Sequence, residues 1–315
     1  MESLRPLLSH TKLIPYKLYL IDRQHEDMTG GRMPPKAFYT QLRRAVKKKT
    51  RRTKALDAEP AESPRVGFEP ELVPIPAGPF LMGSDDGVGN ERPQHTVELS
   101  AYWIGKYPVT NAEYQAFVRD AWREPPDHWK GDTYPKGKGD HPVVRVSWKD
   151  AVAYCKWLGA KTGKEYRLST EAQWEKAARG DDGRKYPWGN EWDASRLNSG
   201  EGGRGDTTPV GQFSPKGDSP YDVADMAGNV LEWCADWFEE AEYKHRAGSV
   251  VKDPQGPIRE EGSSHVLRGG AFYNYGGRVR CSARVGLNPN DRSGDFVGFR
   301  VVFRPLSVDD RSIDG

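Results

Sequence analysis

Turn-forming residues dominate the middle of this chain and limit how much regular structure it can form. After Gly180 the sequence runs through "DDGRKYPWGNEWD", "NSGEGGRGDTTPVG" and "SPKGDSPYD", in which Gly, Pro, Asp and Asn recur every few residues. These residue types favour turns, and long irregular stretches inside a compact domain tend to be functional or held by ions. With 34 Gly, 24 Pro and 10 Trp among 315 residues, a compact, turn-rich fold with little helix is expected.

Three short helices are predicted by capping boxes, in which a Ser or Thr is followed three residues later by an acid or an amide. The pairs are Thr110 with Glu113, Ser147 with Asp150, and Thr170 with Gln173. The third helix is expected to end at Gly180, which suits the position after a helix terminus. In the second helix Cys155 shares a face with apolar residues and is predicted to be a core residue.

Short strands are predicted on both sides of these helices. The stretch "VPIPAGPFLMG" indicates two strands about an Ala-Gly turn, and "HTVELSA" alternates apolar and polar residues as a half-buried strand does. Near the carboxyl end, "VLRGG" and "VGFRVVF" indicate buried strands on either side of a loop rich in Tyr, Asn, Arg and Gly.

The cysteines and the apolar segments indicate the compartment. Cys155, Cys234 and Cys281 are the three cysteines, and a sparse, odd number argues against a disulfide framework. No Cys-x-x-Cys pair is present to build a thiolate zinc site. The sequence contains no run of about 18 apolar residues, and its first thirty residues lack the apolar stretch of a signal peptide. We therefore expect a cytoplasmic protein without a membrane partner.

The amino-terminal part differs in composition from the rest. "TQLRRAVKKKTRRTK" places eight cations in fifteen residues, and the acidic "ALDAEPAES" follows it. Such blocks usually remain solvated, although a basic arm that contacts a polyanion is the alternative. No aromatic residue interrupts the run to stack on bases, so specific nucleic-acid binding is not expected. The predicted organisation is a partly disordered extension and linker over 1–66, one domain over 67–306 and a tail over 307–315.

A series of motifs then carries a family resemblance. In order they are "PAGPFLMGS", "ERPQHTVELSAYWIGKYPVTNAEYQAF", "HPVVRVSWKDAVAYCKWL", "YRLSTEAQWEKAARG", "YPWGNEWD", "DMAGNVLEWCADWF", "VLRGG" and "VGFRVVF". Over roughly residues 68–305 the chain resembles the formylglycine-generating enzyme (sulfatase-modifying factor) family. The resemblance implies an α+β fold of the elaborated C-type-lectin-like kind, with small twisted antiparallel sheets, few helices and much irregular structure.

The resemblance also identifies what this chain lacks. The family's enzyme oxidises a sulfatase cysteine to formylglycine with copper and oxygen, using a cysteine pair in the loop after its "GGS" motif; such thiolates suit Cu(I). Here the loop reads "GGAFYNYGGRVRC", without cysteines at those two positions, and Cys281 matches a later, structural position. Copper is therefore not expected. The seven scattered histidines likewise do not match the iron-binding sulfoxide synthases of the superfamily.

Calcium is the cofactor that the resemblance implies. In "DMAGNVLEW" the carried-over ligands are the Asn229 side chain, the Val230 carbonyl and the Glu232 carboxylate, oxygen donors of the kind that Ca²⁺ prefers. A second family site would use Asn198 and the Ser199 carbonyl. The next acid there is displaced to Glu201 or Asp206. The alternative for the first site is that its side chains only cap a turn.

Without the cysteine pair, the family's substrate groove is left as a binding surface. Residues 271–296 combine aromatic and Arg side chains with Gly and Asn, the composition of a paratope. We expect a non-catalytic protein that binds a protein or other macromolecule there; an oxidoreductase of the sulfatase-modifying-factor family is the alternative. The sequence does not indicate an oligomeric state. The predicted contacts are Phe272, Tyr273, Asn274, Tyr275, Arg278, Arg280, Arg284, Asn288, Asp291, Arg292, Asp295 and Phe296.

A second resemblance concerns the same segment. A fixed "RGG" start, a middle rich in Asn, Tyr, Asp, Gly and Ser, and a fixed "VGFR" end are similar to the variable proteins of diversity-generating retroelements. In those proteins mutagenesis directed at adenines rewrites Asn codons and leaves the strands intact. The residues here that fall in that codon set are Tyr273, Asn274, Tyr275, Gly276, Asn288, Ser293, Gly294 and Asp295.

Overall fold

The computed structural model describes residues 67–257, 263–292 and 294–304. The extension predicted over 1–66 and the tail predicted over 307–315 lie outside these residues, so the division of the chain remains a prediction. None of the helices described is long and apolar enough to cross a membrane.

All three predicted capping boxes are present. In each, the side chain of the capping Ser or Thr accepts a hydrogen bond from the backbone N–H of the residue three positions later. The side chain of that later residue accepts one from the backbone N–H of the capping residue. Helix α3 ends as predicted at Gly180, whose φ of 74° is one that glycine adopts without strain. A short fourth helix was not predicted. The helices are α1 (Asn111–Asp120), α2 (Trp148–Thr162), α3 (Glu171–Arg179) and α4 (Glu242–Arg246).

Eleven short strands in the described residues form three small sheets. They are β1 (Leu72–Ile75), β2 (Gly78–Met82), β3 (His95–Leu99), β4 (Tyr102–Gly105), β5 (Tyr166–Leu168), β6 (Leu231–Trp237), β7 (Val251–Lys252), β8 (His265–Arg268), β9 (Arg284–Leu287), β10 (Val297–Phe299) and β11 (Val301–Phe303). The sheet orders are β1-β4-β11-β5, β10-β6-β8-β9 and β2-β3-β7. Strand pairing is mainly antiparallel, with β6–β10 and β3–β7 parallel. The fold is the expected α+β class.

The two strands predicted about the Ala-Gly turn exist but lie in different sheets. Strand β1 pairs with β4, whereas β2 pairs with β3. Gly78, the first residue of β2, has a φ of 137°, a conformation that residues with a side chain rarely adopt, and the chain passes there from one sheet to the next.

Helices α1 and α2 cover the sheet that contains β10 through an aromatic core. Tyr114 stacks on Tyr154, and the edge of Tyr154 meets Phe299 at a ring-centroid distance of 5.3 Å. Such pairs contribute about 0.5–1.5 kcal/mol beyond their buried area. Cys155 is buried in this core, as predicted.

A buried ionic cluster joins α3 to strands β8 and β9. We define it as Glu171, Glu175, Arg179, Arg268 and Arg284. Glu171 binds Arg284 at 2.6 Å, and Glu175 binds Arg179 at 2.6 Å and also Arg268. Burial alone would raise the pKa of Glu171, but Arg284 and Arg268 outweigh it and hold that pKa below its usual value. Because breaking one buried pair leaves an uncompensated charge, each member depends on the others.

Asp236 borders the buried ionic cluster without a cation bound to its carboxylate among the described residues. Its Oδ2 accepts from the Glu171 N–H at 2.8 Å. Burial, together with repulsion from Glu171, raises its pKa to about 7. The native state therefore favours a protonated Asp236 and destabilises the carboxylate.

We predict that Asp236→Asn makes the free energy of unfolding less dependent on pH. A carboxyl whose pKa is raised on folding contributes stability fully below its unfolded pKa, and that contribution is lost as pH rises through about 7. The variant keeps an acceptor for the Glu171 N–H but cannot ionise. Urea unfolding at each pH measures this. The free energy of unfolding of the variant minus that of wild type should be roughly 2 kcal/mol larger at pH 8 than at pH 5.

Asp193→Asn is the matched control, because Asp193 is only partly buried and hydrogen bonds from Ser195 lower its pKa to about 2. The difference in free energy of unfolding between Asp193→Asn and wild type should be equal at pH 5 and pH 8. A constant difference for Asp236→Asn as well would show that Asp236 does not titrate in this range.

Candidate ligand-binding surface

Segment 271–296 begins at a sharp turn held by glycines. Gly269 and Gly270, directly after β8, have φ values of 95° and 72°. A Cβ on Gly270 would lie 2.8 Å from the Arg278 carbonyl oxygen, so a larger residue would push the returning chain away. The "RGG" motif is therefore needed for the path of the segment.

Five of the predicted contact residues are exposed at the surface. Tyr273 is 42% and Tyr275 is 64% exposed. The rings of Tyr273 and half-buried Phe296 pack edge to face at a centroid distance of 5.0 Å, and this contact holds the Tyr273 ring. The full set of exposed predicted contacts is Tyr273, Tyr275, Arg278, Asn288 and Asp295.

Three predicted contacts are wrong, because the structure buries their side chains. Arg280 is 9% exposed and binds both oxygens of Glu91 at 2.6 and 2.7 Å. Arg284 is 3% exposed and belongs to the buried ionic cluster. Phe272 is 8% exposed. The Glu partners of Arg280 and Arg284 lie 189 and 113 residues earlier in the chain, so no local sequence pattern indicates them.

The remaining polar contacts shape the loop itself. The Oδ1 atom of Asn274 accepts from the Ala271 N–H at 2.8 Å, and the Asn288 Oδ1 accepts from the Asn290 N–H at 2.9 Å. The Asp291 N–H donates to the Asn288 carbonyl at 3.0 Å. Arg292 binds Asp150, the capping acid of α2, at 2.6 Å and is only partly exposed.

Two neighbouring loops complete the surface, and sequence reasoning missed them. Trp192 is 36% exposed, and its ring lies 3.1 Å from where a Cβ on Gly276 would stand. Trp188 stacks on Tyr186 nearby. The Glu201 carboxylate accepts from the Gly276 N–H at 3.2 Å. The Trp-rich "YPWGNEW" was the available signal. We call Trp188, Trp192, Tyr273 and Tyr275 the aromatic surface.

Charges at the aromatic surface are of both signs. Arg278 is a cation, whereas Glu201 and Asp295 are acids, and all three are exposed. Burial and the nearby Asp295 raise the pKa of Tyr273. Mixed charge around aromatic rings is typical of protein-binding surfaces and does not match a polyanion site.

The predicted calcium ligands fall into two groups. Asn198 and Asn229 are adjacent, since the Asn198 Nδ2 donates to the Asn229 Oδ1 at 3.2 Å. The Thr208 N–H donates to the same Oδ1 at 2.9 Å. The Glu232 carboxylate is fully buried, and Arg300 binds its two oxygens at 2.6 and 2.7 Å. Val230 is also buried.

At the second predicted calcium site, one of the unbonded oxygens is the Ser199 hydroxyl, whereas the prediction named the Ser199 carbonyl. Within the part of the chain that the structure describes, the buried Asn198 Oδ1 and Ser199 Oγ have no hydrogen-bond partner. At the first site, Trp174 adds a further bond to Glu232 at 2.8 Å, so its carboxylate is already occupied. The side-chain oxygens of Asn198 and Ser199 are thus without a bonded donor among the described residues, whereas those of Asn229 and Glu232 already accept hydrogen bonds.

All three cysteines of the chain are free and buried. Burial raises the pKa of Cys155 and Cys234 strongly and that of Cys281 to about 12. Thiolates are the reactive and metal-binding form of cysteine, so none of these thiols is prepared for either role at neutral pH.

Comparison with known proteins identifies the family. Residues 57–305 match the Sulfatase-modifying factor enzyme 1-like domain. The formylglycine-generating enzyme of Thermomonospora curvata is 36% identical to this chain, over 75% of this chain and 94% of that enzyme.

Two solved structures are similar to this fold. PvdO from Pseudomonas aeruginosa superposes with a TM-score of 0.66 and 31% identity, covering 76% of this chain and 96% of PvdO. Variable protein 1 of Treponema denticola gives a TM-score of 0.63 and 28% identity, covering 74% and 95%. The chain thus belongs to the sulfatase-modifying factor family, as its sequence motifs had indicated.

Proposed function

We propose that this chain is a non-catalytic member of its family that binds a protein or other macromolecule through the aromatic surface and the exposed residues of segment 271–296. The observation that carries the proposal is the separation of roles within the segment. Arg280 and Arg284 anchor it in buried ion pairs, while Tyr273, Tyr275 and Arg278 between the glycine turn and those anchors remain exposed.

This arrangement favours binding because the exposed rings are held in place before a partner arrives. Trp192 rests on Gly276, and Tyr273 rests on Phe296. Large aromatic side chains supply contact area at a low cost in conformational entropy, and a loop that is already ordered loses less entropy when it binds.

The chemistry of the thiols supports the non-catalytic part of the proposal. The resemblance implies that the family's oxidase activity depends on a cysteine pair, and this sequence lacks that pair. The cysteines that are present have raised pKa values because they are buried.

We further propose that this segment tolerates sequence diversification; one of the similar structures is of a Treponema denticola protein that is named a variable protein. Tyr273, Tyr275, Asn288 and Asp295 are exposed and can change without reaching the buried anchors. At Gly276 a Cβ would lie 3.1 Å from the Trp192 ring, so a larger residue there would require that ring to shift. A nearby reverse transcriptase gene, with a second copy of this segment differing only at adenines, would support retroelement diversification. A single copy without such a gene would contradict it.

We predict that the triple variant Tyr273→Ala, Tyr275→Ala, Arg278→Ala weakens partner binding by at least about tenfold and leaves the Tm nearly unchanged. Exposed aromatic and Arg residues commonly dominate interface energies, and none of the three belongs to the buried anchors. Partners captured from the source cells should be identified by mass spectrometry, and their affinities compared by calorimetry.

Trp122→Ala is the matched control, because Trp122 is 93% exposed and lies outside the segment. It should leave partner affinity unchanged. Undiminished binding by the triple variant would rule out the proposed surface.

The alternative function, an oxidoreductase of the family, is favoured by the 36% identity to a formylglycine-generating enzyme. We expect no aldehyde product when the protein is incubated with copper, oxygen and a Cys-x-Pro-x-Arg peptide, because its thiols are buried. Mass spectrometry of the peptide checks this. Turnover that disappears in Cys281→Ser would overturn the non-catalytic assignment.

We propose that calcium binds at Asn198 and Ser199, where two buried oxygens lack partners among the described residues. A bound ion stabilises the native state, so chelation should lower the Tm of wild type. Ser199→Ala should reduce that response. In the absence of calcium the same change removes an unsatisfied buried hydroxyl and should leave stability unchanged or higher.

Ser169→Ala is the matched control for calcium, since Ser169 is also fully buried with an unpartnered hydroxyl among the described residues. Ser169→Ala should show the same fall in Tm on chelation as wild type. If the Tm of wild type does not change on chelation, the oxygens of Asn198 and Ser199 do not bind calcium.

A further inference from the structure

A polar crevice lies on elements that the aromatic surface does not use. It is open to solvent and forms where the end of β3, strand β5 and the end of β11 meet the start of α3. The residues that line it are Leu99, Ser100, Ala101, Arg167, Thr170, Gln173, Asp253, Gln255 and Arg304.

Strand register brings two guanidinium groups to this crevice. Strands β5 and β11 pair antiparallel with Arg167 opposite Val302. Arg304 follows two residues after Val302 and therefore leaves the backbone on the same side as Arg167. Arg167 is half-buried and Arg304 is exposed, so one cation lies inside the crevice and one at its rim.

Arg167 differs from the fully buried arginines. Arg179, Arg268 and Arg300 each bind a carboxylate. In the described ranges no carboxylate lies within ion-pair distance of Arg167, whose Nη1 donates to the Leu168 carbonyl at 3.3 Å and to the Gln173 Oε1 at 3.1 Å. Its Nε and Nη2 have no acceptor among the same residues.

The electrostatics around Arg167 leave its charge only partly compensated. Burial lowers the pKa of its guanidinium, Asp236 acts against this from a distance, and Arg304 lowers it further. Asp253 also lines the crevice, but its two carboxylate oxygens accept from the Ser100 N–H and hydroxyl at 2.8 and 2.6 Å. The crevice thus combines two cations with one acid that already has its own donors.

We propose that this crevice binds an oxyanion group, a carboxylate or a phosphate, between Arg167 and Arg304. Guanidinium groups present paired N–H donors that match such anions, and partial burial strengthens the interaction. The inference is independent of the function proposed for the aromatic surface.

The anion has two possible sources with the same chemistry. One is a free phosphate or carboxylate compound. The other is the chain's own carboxyl-terminal sequence, "PLSVDDRSIDG", which follows Arg304 directly and contains Asp309, Asp310 and Asp314.

Thermal unfolding of the full chain with inorganic phosphate tests the site. Relative to sodium chloride at equal ionic strength, phosphate should raise the Tm by roughly 2–4 °C at concentrations well above its Kd. Arg167→Gln and Arg304→Gln should abolish the rise. Arg304 is exposed, so its variant remains informative if Arg167→Gln does not fold. Arg119→Gln, an exposed arginine on α1, should keep the rise.

A full-length variant with Asp309→Asn, Asp310→Asn and Asp314→Asn distinguishes the sources. If the tail occupies the crevice, this variant has a lower Tm without phosphate and a larger rise with it. If free anions are the ligand, it behaves as wild type does. The proposal is overturned if phosphate has no specific effect in either protein, or if Arg304→Gln responds as strongly as wild type.

Discussion

The pairing of two glutamates on one helix with arginines on two strands holds the carboxyl-terminal half of this protein in place. Glu171 and Glu175 lie on α3, and Arg268 and Arg284 lie on β8 and β9. All four side chains are buried, where an unpaired charge would cost several kcal/mol. The pairs therefore fix the distance between α3 and the two strands that bracket residues 269–283.

That constraint explains how an irregular segment can be ordered. Between β8 and β9 the described chain has only a short 3-10 turn, yet Arg280 is pinned to Glu91 and Gly276 lies against Trp192. A loop held at its ends and in its middle can expose Tyr273 and Tyr275 without losing its path. Binding as proposed would depend on the exposed side chains, since the anchors are structural.

Membership of the sulfatase-modifying factor family and the proposed absence of its oxidase chemistry are compatible. The family fold depends on buried pairs and glycine turns, whereas the family's chemistry depends on a few thiols. Here the thiols are buried in the core, and the scaffold supports a surface of aromatic and charged groups. A scaffold of this kind can retain its shape while its function changes from catalysis to binding.

The sequence by itself determined the local structure of this protein. Capping boxes act within four residues, so Thr110, Ser147 and Thr170 could be read directly as helix starts. The ordered motifs likewise identified the family and its α+β fold. Such signals are short in range or repeated along the chain, and no knowledge of distant contacts is needed to use them.

Only the tertiary structure decided which residues of segment 271–296 face solvent. Arg278 and Arg280 look alike in sequence, but Glu91, 189 residues away, buries Arg280 and leaves Arg278 exposed. The same holds for Trp192, which joins the surface because its loop folds onto Gly276. Ion pairs and ring contacts between distant parts of the chain are set by three-dimensional packing, and residue type alone does not encode them.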